Sequence, residues 1–172
     1  MSEIARFSVV EPDTEGAAVQ FEAFFEAEKD QLYRALCLVT RNRHEAEDLT
    51  QEAFIRVLER WDRVAQIEDP HGYLYRTAMN VFRRRYGRAL RTARRSMQLV
   101  PADDEIAEID ERDAAVRALG ALSPRQRAAV VLVDLLGFGS EEAARMLGIG
   151  ASTLRTYTSR AHAALRETMS RE

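Results

Sequence analysis

Residues 140–159 read Ser140-Glu-Glu-Ala-Ala-Arg-Met-Leu147-Gly148-Ile149-Gly150-Ala-Ser-Thr-Leu154-Arg-Thr-Tyr-Thr-Ser159. Two amphipathic segments meet here at a glycine turn, the pattern of a helix-turn-helix. That motif needs a small residue where the helices nearly touch, a turn residue that tolerates positive φ, and apolar side chains that lock the pair. Ala144 supplies the first, Gly148 the second, and Leu147, Ile149 and Leu154 the third. Ser140 is the expected cap of the first helix, which runs through Leu147; the second spans about Ala151 to Met169. Such a second helix enters a major groove with its N-terminal residues toward base edges. The exposed candidates are Ser152, Thr153, Arg155, Thr156, Ser159 and Arg160, while Tyr157 fits either the core or the DNA backbone. A plain helical hairpin would show the same polar face, but it would not need all three demands met in register.

Working back from this motif, Ser123-Pro124-Arg125-Gln126 is a capping box with proline at the first helical position. The apolar run from Ala128 to Leu136 follows and ends at Gly137-Phe138-Gly139. Upstream, the charge changes sign at Pro101. Arg83, Arg84, Arg85, Arg88, Arg91, Arg94 and Arg95 come before it; Asp103, Asp104, Glu105, Glu108, Asp110, Glu111 and Asp113 come after. So charged a segment resists burial and favours an extended chain, so residues 98–113 are expected to be an acidic flexible linker between two domains.

The N-terminal half is helical as well. A polar tail, 1–16, precedes an amphipathic helix from Ala17 to Val39 that carries Phe21, Phe24, Phe25, Leu32 and Leu36 at helical intervals. A break at Asn42–Arg43 leads to a second helix, about Glu45 to Asp62, with Leu49, Ala53, Val57, Leu58 and Trp61 on its apolar side. Its opposite side carries Asp48, Gln51, Glu52, Arg56 and Glu59, which read as a docking surface for a partner helix or as ordinary charged exterior. Asp69-Pro70 caps a third helix running to about Tyr86, with Leu74, Ala78 and Val81 in the core. That helix mixes Tyr73, Tyr75, Phe82 and Tyr86 with Arg76, Arg83, Arg84 and Arg85. Aromatics stack on unpaired bases and arginines hold phosphates, although aromatics at helical spacing also build cores.

The bulk numbers agree with an all-α chain. Among 172 residues, only four prolines and eight glycines interrupt a sequence that is 46% hydrophobic. Net charge is −3, and Lys29 is the only lysine. The arginine bias suits planar phosphate contacts and equally reflects a GC-rich codon bias. With Cys37 alone, no disulfide forms within the chain and no cysteine-rich zinc site is built. His44, His71 and His162 are scattered, with no nucleophile arrangement, so neither an enzyme nor a metal or other cofactor is expected. No secretory signal and no membrane-length apolar run is seen, which places the protein in the cytoplasm.

Three stretches resemble one known family. Glu47-Asp48-Leu49-Thr50-Gln51-Glu52-Ala53-Phe54, followed by Trp61, is similar to region 2 of extracytoplasmic-function (ECF, group 4) RNA polymerase sigma factors of the sigma-70 family. Gly72-Tyr73-Leu74-Tyr75-Arg76-Thr77-Ala78-Met79-Asn80 with the following arginines resembles their promoter-melting segment. Leu122-Ser123-Pro124-Arg125-Gln126-Arg127 plus the helix-turn-helix resembles their region 4. The likeness covers nearly all of residues 20–168 in order and is strongest to the actinobacterial SigE-like subgroup.

The resemblance implies two small helical domains: region 2 at 17–97, and a region 4 helix-turn-helix at 114–172. It implies that Asp48, Gln51, Glu52, Arg56 and Glu59 dock on RNA polymerase core at the β′ clamp coiled coil, with the β subunit also contacted. The loop from Asp62 to His71 would capture a flipped base. Trp61, His71, Tyr73, Tyr75, Arg76, Asn80, Arg83, Arg84 and Arg85 would hold the minus-ten element of promoter DNA. Arg125, Ser152, Thr153, Arg155, Thr156, Tyr157, Ser159 and Arg160 would read the minus-thirty-five element. It also implies an anti-sigma partner, no membrane association and a monomer when free. The rival is an ordinary helix-turn-helix regulator that binds duplex DNA without polymerase, but the N-terminal half lacks a phospho-acceptor βαβ pattern.

Overall fold

A computed structural model describes residues 14–96 and 118–170 of the chain. Helix α1 spans Thr14–Thr40, α2 Arg43–Leu58, the short α3 Trp61–Val64 and α4 Pro70–Ser96. After residues 118–120, also helical, come α5 (Pro124–Val130), a π-helical turn (Val131–Leu135), α6 (Ser140–Leu147) and α7 (Ala151–Met169). There is no strand among the described residues. The expected linker, 98–113, and residues 114–117 lie outside them. Residues 14–16, expected in the tail, already form the start of α1.

The α1–α2 corner is made by Arg41, whose φ of 58° is the left-handed conformation, worth about 1–2 kcal/mol of strain for a side-chain-bearing residue. Local hydrogen bonds hold it there. Thr40 Oγ1 lies 2.9 Å from both the Leu36 and the Asn42 carbonyl oxygens. Asn42 caps α2 by accepting from Glu45 N at 2.8 Å. The single helix expected over 45–62 is in fact two. The chain breaks at Glu59–Arg60, where Arg60 takes φ −127°, and the Trp61 indole turns in under Phe21 and Phe24 at ring distances of 5.3 and 5.1 Å. Leu58, expected on the apolar side, is exposed.

Helix α4 begins as expected: Gly72 N donates to Asp69 Oδ1 at 2.8 Å. It then runs ten residues past the expected end at Tyr86 to Ser96, because the arginines and alanines there are good helix formers and one glycine does not outweigh them. The capping box of α5 is present in both directions, Gln126 N to Ser123 Oγ at 3.3 Å and Ser123 N to Gln126 Oε1 at 2.9 Å. The apolar run then widens into the π turn, where Leu136 N donates to Val131 O at 2.9 Å. Ser140 is not the cap of α6. Gly139 takes that position with extended backbone and no side-chain bond, so Ser140 is the first helical residue. Gly148 ends α6 at φ 62°, ψ 38°, the left-handed turn the motif requires.

The two halves share one core. Leu32, Leu36, Leu49, Leu74 and Met79 from the N-terminal half join Leu132, Met146 and Leu154 from the C-terminal half in a continuous buried cluster. Helix α5 lies against α1, and α6 lies across α4. Arg127 is the one buried charged residue among the described residues. Its Nε donates to Val39 O at 2.8 Å and its Nη1 to Leu122 O at 2.6 Å. Val39 belongs to the last turn of α1, whose carbonyls have no partner within the helix and carry the negative end of its dipole. A cation from one domain thus caps a helix of the other.

Candidate nucleic-acid and protein interfaces

The outer side of α2 presents Asp48, Gln51 and Glu59 to solvent, with Glu52 and Arg56 half-buried. Arg56 pairs with Glu52 at 2.6 Å, and Arg85 reaches from α4 to Glu52 at 2.7 Å and to Asp48 at 3.5 Å. Burial of Glu52 works against its charge, but the hydrogen bonds from Arg85 and Arg56 outweigh it and hold its pKa below the ordinary carboxylate value. Arg85, expected to hold DNA, is therefore committed to bracing α2 against α4. The face stays acidic at its outer rim, where the Asp48 side chain is 66% exposed.

Two grooves open beside this face. One, of about 520 Å³, is lined by Arg56, Glu59, Tyr73, Arg76, Asn80 and Arg84 among others. It brings together four of the residues expected to hold separated DNA. The other, of about 360 Å³, is lined by Arg60, Arg63, Val64, Ile67 and Tyr73, at the loop expected to take a flipped base. Tyr73 sits between them, with its hydroxyl 3.5 Å from Arg60 Nη1.

Other expected contacts are elsewhere. Trp61, expected to hold DNA, is buried beneath α1 as a core residue, packed against Phe21 and Phe24. Tyr75 is fully buried. Its ring lies 5.5 Å from Phe138 of the C-terminal domain and 4.5 Å from His71, so in this arrangement it offers nothing to DNA. Burial pushes the Tyr75 phenol far above its usual range, and its hydroxyl has no hydrogen-bond partner. His71 is held by Glu28, Nδ1 to Oε2 at 2.8 Å, and stacks on Phe138 at 5.7 Å. Arg83 donates to Asn80 Oδ1 at 3.1 Å, and its guanidinium lies over Gly148, where an added Cβ would stand 2.3 Å from Cζ. Arg76 reaches Glu142 of α6 at 3.9 Å.

On α7, Ser152, Arg155, Thr156, Ser159 and Arg160 are exposed along the expected reading face, and Thr153 is half-buried. Tyr157 packs against the core. Arg125 does not join that face. Its guanidinium lies 5.9 Å from the centre of the Tyr86 ring on α4, a cation–π contact between the domains. The residues that reasoning from sequence missed are others that join the two domains: Arg127, Phe138 and Glu142. The one signal was an arginine heading the apolar run 128–136, which no exposed helix face would explain. Among the described residues there is no group of side chains suited to a metal ion, and no helix long and apolar enough to cross a membrane.

Comparison with known proteins agrees with this geometry. The Sigma-70 region 2 family matches residues 24–96 and the Sigma-70 region 4 family matches residues 112–165. The ECF RNA polymerase sigma factor SigE of Mycolicibacterium smegmatis is 36% identical over 150 residues, covering 80% of this chain and 57% of that protein. The RNA polymerase sigma-E factor of Streptomyces avermitilis is 31% identical over 155 residues, covering 88% of this chain and 86% of that one. Two solved structures share the fold. The sigma factor RpoE of Bartonella quintana, solved with the anti-sigma factor NepR, has a TM-score of 0.66 at 23% identity and covers 88% of this chain and 97% of its own. CnrH, solved with the cytosolic domain of CnrY, has a TM-score of 0.59 at 20% identity and covers 92% and 95% respectively.

Proposed function

The chain belongs to the sigma-70 family as an ECF-type RNA polymerase sigma factor, and from that premise we propose how its surfaces divide the work. The acidic outer side of α2, with Asp48, Gln51, Glu52, Arg56 and Glu59, docks on the polymerase core at the β′ clamp coiled coil. The groove holding Tyr73, Arg76, Asn80 and Arg84, with the smaller pocket at Ile67, takes the non-template strand of the minus-ten element. The start of α7, led by Arg155, reads the minus-thirty-five element. The chain does no catalysis of its own; it acts in the cytoplasm, where core polymerase is. Free, it is a monomer available to an anti-sigma protein.

The observation that carries this reading is the joint geometry: a groove fit for separated DNA beside an acidic helix face, and a helix-turn-helix, in one chain. In the described arrangement the domains cover part of each other's working surface. Phe138 covers His71 and Tyr75, Arg83 lies over Gly148, and Arg125 lies over Tyr86. Promoter engagement therefore requires region 4 to leave α4, and docking on polymerase would supply the free energy to separate them.

The test is transcription in vitro with actinobacterial core polymerase and a pool of random promoter fragments. Run-off transcripts that depend on the chain support the reading, and their upstream sequences identify both elements. Tight duplex binding by the chain alone, without transcripts, refutes it in favour of an ordinary regulator. Arg155→Ala should cost about 1–3 kcal/mol at a single promoter position if it reads a base edge, and should weaken all sequences equally if it grips phosphate.

A further inference from the structure

Where α4 meets the helix-turn-helix, the closed domains enclose a cleft of about 420 Å³. Its lining includes Arg83, Arg84, Arg88 and Arg91 from α4 and Arg125 from α5, with no aspartate or glutamate. The rings of Tyr86 and Tyr157 stand in the wall, and the Gly148–Ile149 turn closes it. Three arginines nearby are neutralised: Arg56 and Arg85 by Glu52, Arg76 by Glu142. Here, among the described residues, no carboxylate pairs with any of the five; Arg83 is bonded to a neutral amide and Arg125 to a ring face. Closure thus gathers like charges that repel one another in a partly enclosed space, where the field is poorly screened.

We propose that this cleft binds a linear polyphosphate, free or carried on a nucleoside, and that the ligand bridges the two domains. Guanidinium groups bind phosphate oxygens through paired, charge-assisted hydrogen bonds. Several of them along one cleft suit a chain of phosphates better than a single anion. The volume is that of a small-molecule site and excludes a duplex, which separates this ligand from promoter DNA held by the same helix in the open form. The tyrosine rings offer a stacking face to a base if the chain carries one. Since the cleft has walls from both domains, a ligand in it favours the closed form by mass action.

The test is calorimetric titration of the full chain with sodium tripolyphosphate at about 0.15 M salt, where weak surface attraction is screened. The expected result is saturable binding of one ligand per chain, a raised thermal midpoint, and a radius of gyration by X-ray scattering that holds or falls. Arg88→Glu with Arg125→Glu should weaken binding at least about tenfold, and Arg91→Gln alone measurably, since each removes charge-assisted bonds. Arg145→Glu, an exposed cation outside the cleft, makes the same charge reversal as each of those two exchanges makes within it, and should leave affinity within about twofold. Circular dichroism establishes that each variant is folded. A second arm replaces tripolyphosphate with adenosine triphosphate: tighter binding that is lost in Tyr86→Ala assigns a nucleoside ligand, and equal binding assigns the inorganic chain. Absence of saturable binding, full affinity in the double variant, or an equal loss in Arg145→Glu overturns the site. Expansion of the chain on binding overturns the bridging role. None of these readouts uses polymerase or promoter DNA, so their failure leaves the sigma-factor reading standing.

Discussion

Replacing Arg127 with methionine should release the closed arrangement. The two side chains have similar length and helix propensity, so the change removes the guanidinium and little else. Arg127 is 6% exposed; its bond to Val39 O, at 2.8 Å, crosses between the domains, and that to Leu122 O stays within one. A hydrogen bond from a charged donor contributes about 1.5–3 kcal/mol. Losing the crossing bond therefore moves the closed–open balance by roughly 10- to 150-fold toward open, at about 1.4 kcal/mol per decade. Because only the open form is proposed to dock, the measured dissociation constant for core polymerase should fall by that factor, as long as opening is the unfavourable step. Fluorescence anisotropy of labelled chain titrated with core polymerase measures it. Arg127→Lys, which keeps the charge but loses the fixed fork, should fall between. Unchanged affinity in an Arg127→Met variant with native circular dichroism would refute the reasoning, since the bond would then survive docking.

Tyr75→Phe should be neutral or stabilising, because the hydroxyl is buried without a partner and leaving one so costs about 1–3 kcal/mol; a clear drop in thermal midpoint would reveal a partner. Glu52 has a depressed folded pKa, so its pairing with Arg85 and Arg56 contributes stability above the ordinary value of 4.5 and loses it as pH falls through the folded value. The gap in thermal midpoint between the native chain and Glu52→Gln should therefore be present at neutral pH and close as pH falls below the ordinary carboxylate range. A gap that stays constant would refute the pairing, and a small one is expected because the carboxylate is about a third exposed to solvent. Gly148→Ala should destabilise the helix-turn-helix by about 1–2 kcal/mol on thermal melting, since φ 62° is unfavourable for a residue with a Cβ. The Arg83 tip it meets is flexible and should simply move aside.

Features set by neighbours in the chain were legible in the sequence. The Ser123–Gln126 capping box and the left-handed Gly148 each depend on a few consecutive residues, and both are present. The start of α4 at Asp69-Pro70 is as expected for the same reason. Misreadings arose where a distant contact overrides local preference. The periodicity of α2 ran smoothly into Trp61, but the indole goes under Phe21 and Phe24, and the helix breaks at Glu59–Arg60 to let it. Tyr75 had the composition of a DNA-facing aromatic, yet Phe138 from sixty-three residues downstream covers it. Arg85 and Arg125 sat among cations that looked alike; their partners, Glu52 on α2 and Tyr86 on α4, come from folding and not from spacing.

The π turn at Val131–Leu135 bears on how this protein tolerates changes in length. Its five-residue loop holds one residue more than an α-helical turn over the same stretch. Deleting the exposed Leu135 would let the hydrogen bonds revert to ordinary helical spacing, with little loss of local stability. The deletion would nonetheless swing everything beyond it by about 100° around the helix axis, carrying Phe138 off the His71–Tyr75 surface. The segment is therefore an angular gauge, in which residue count sets how one domain is turned against the other. Apolar exchanges at the exposed Leu135 should pass almost unnoticed, while a single codon lost or gained in this segment should unseat one domain from the other.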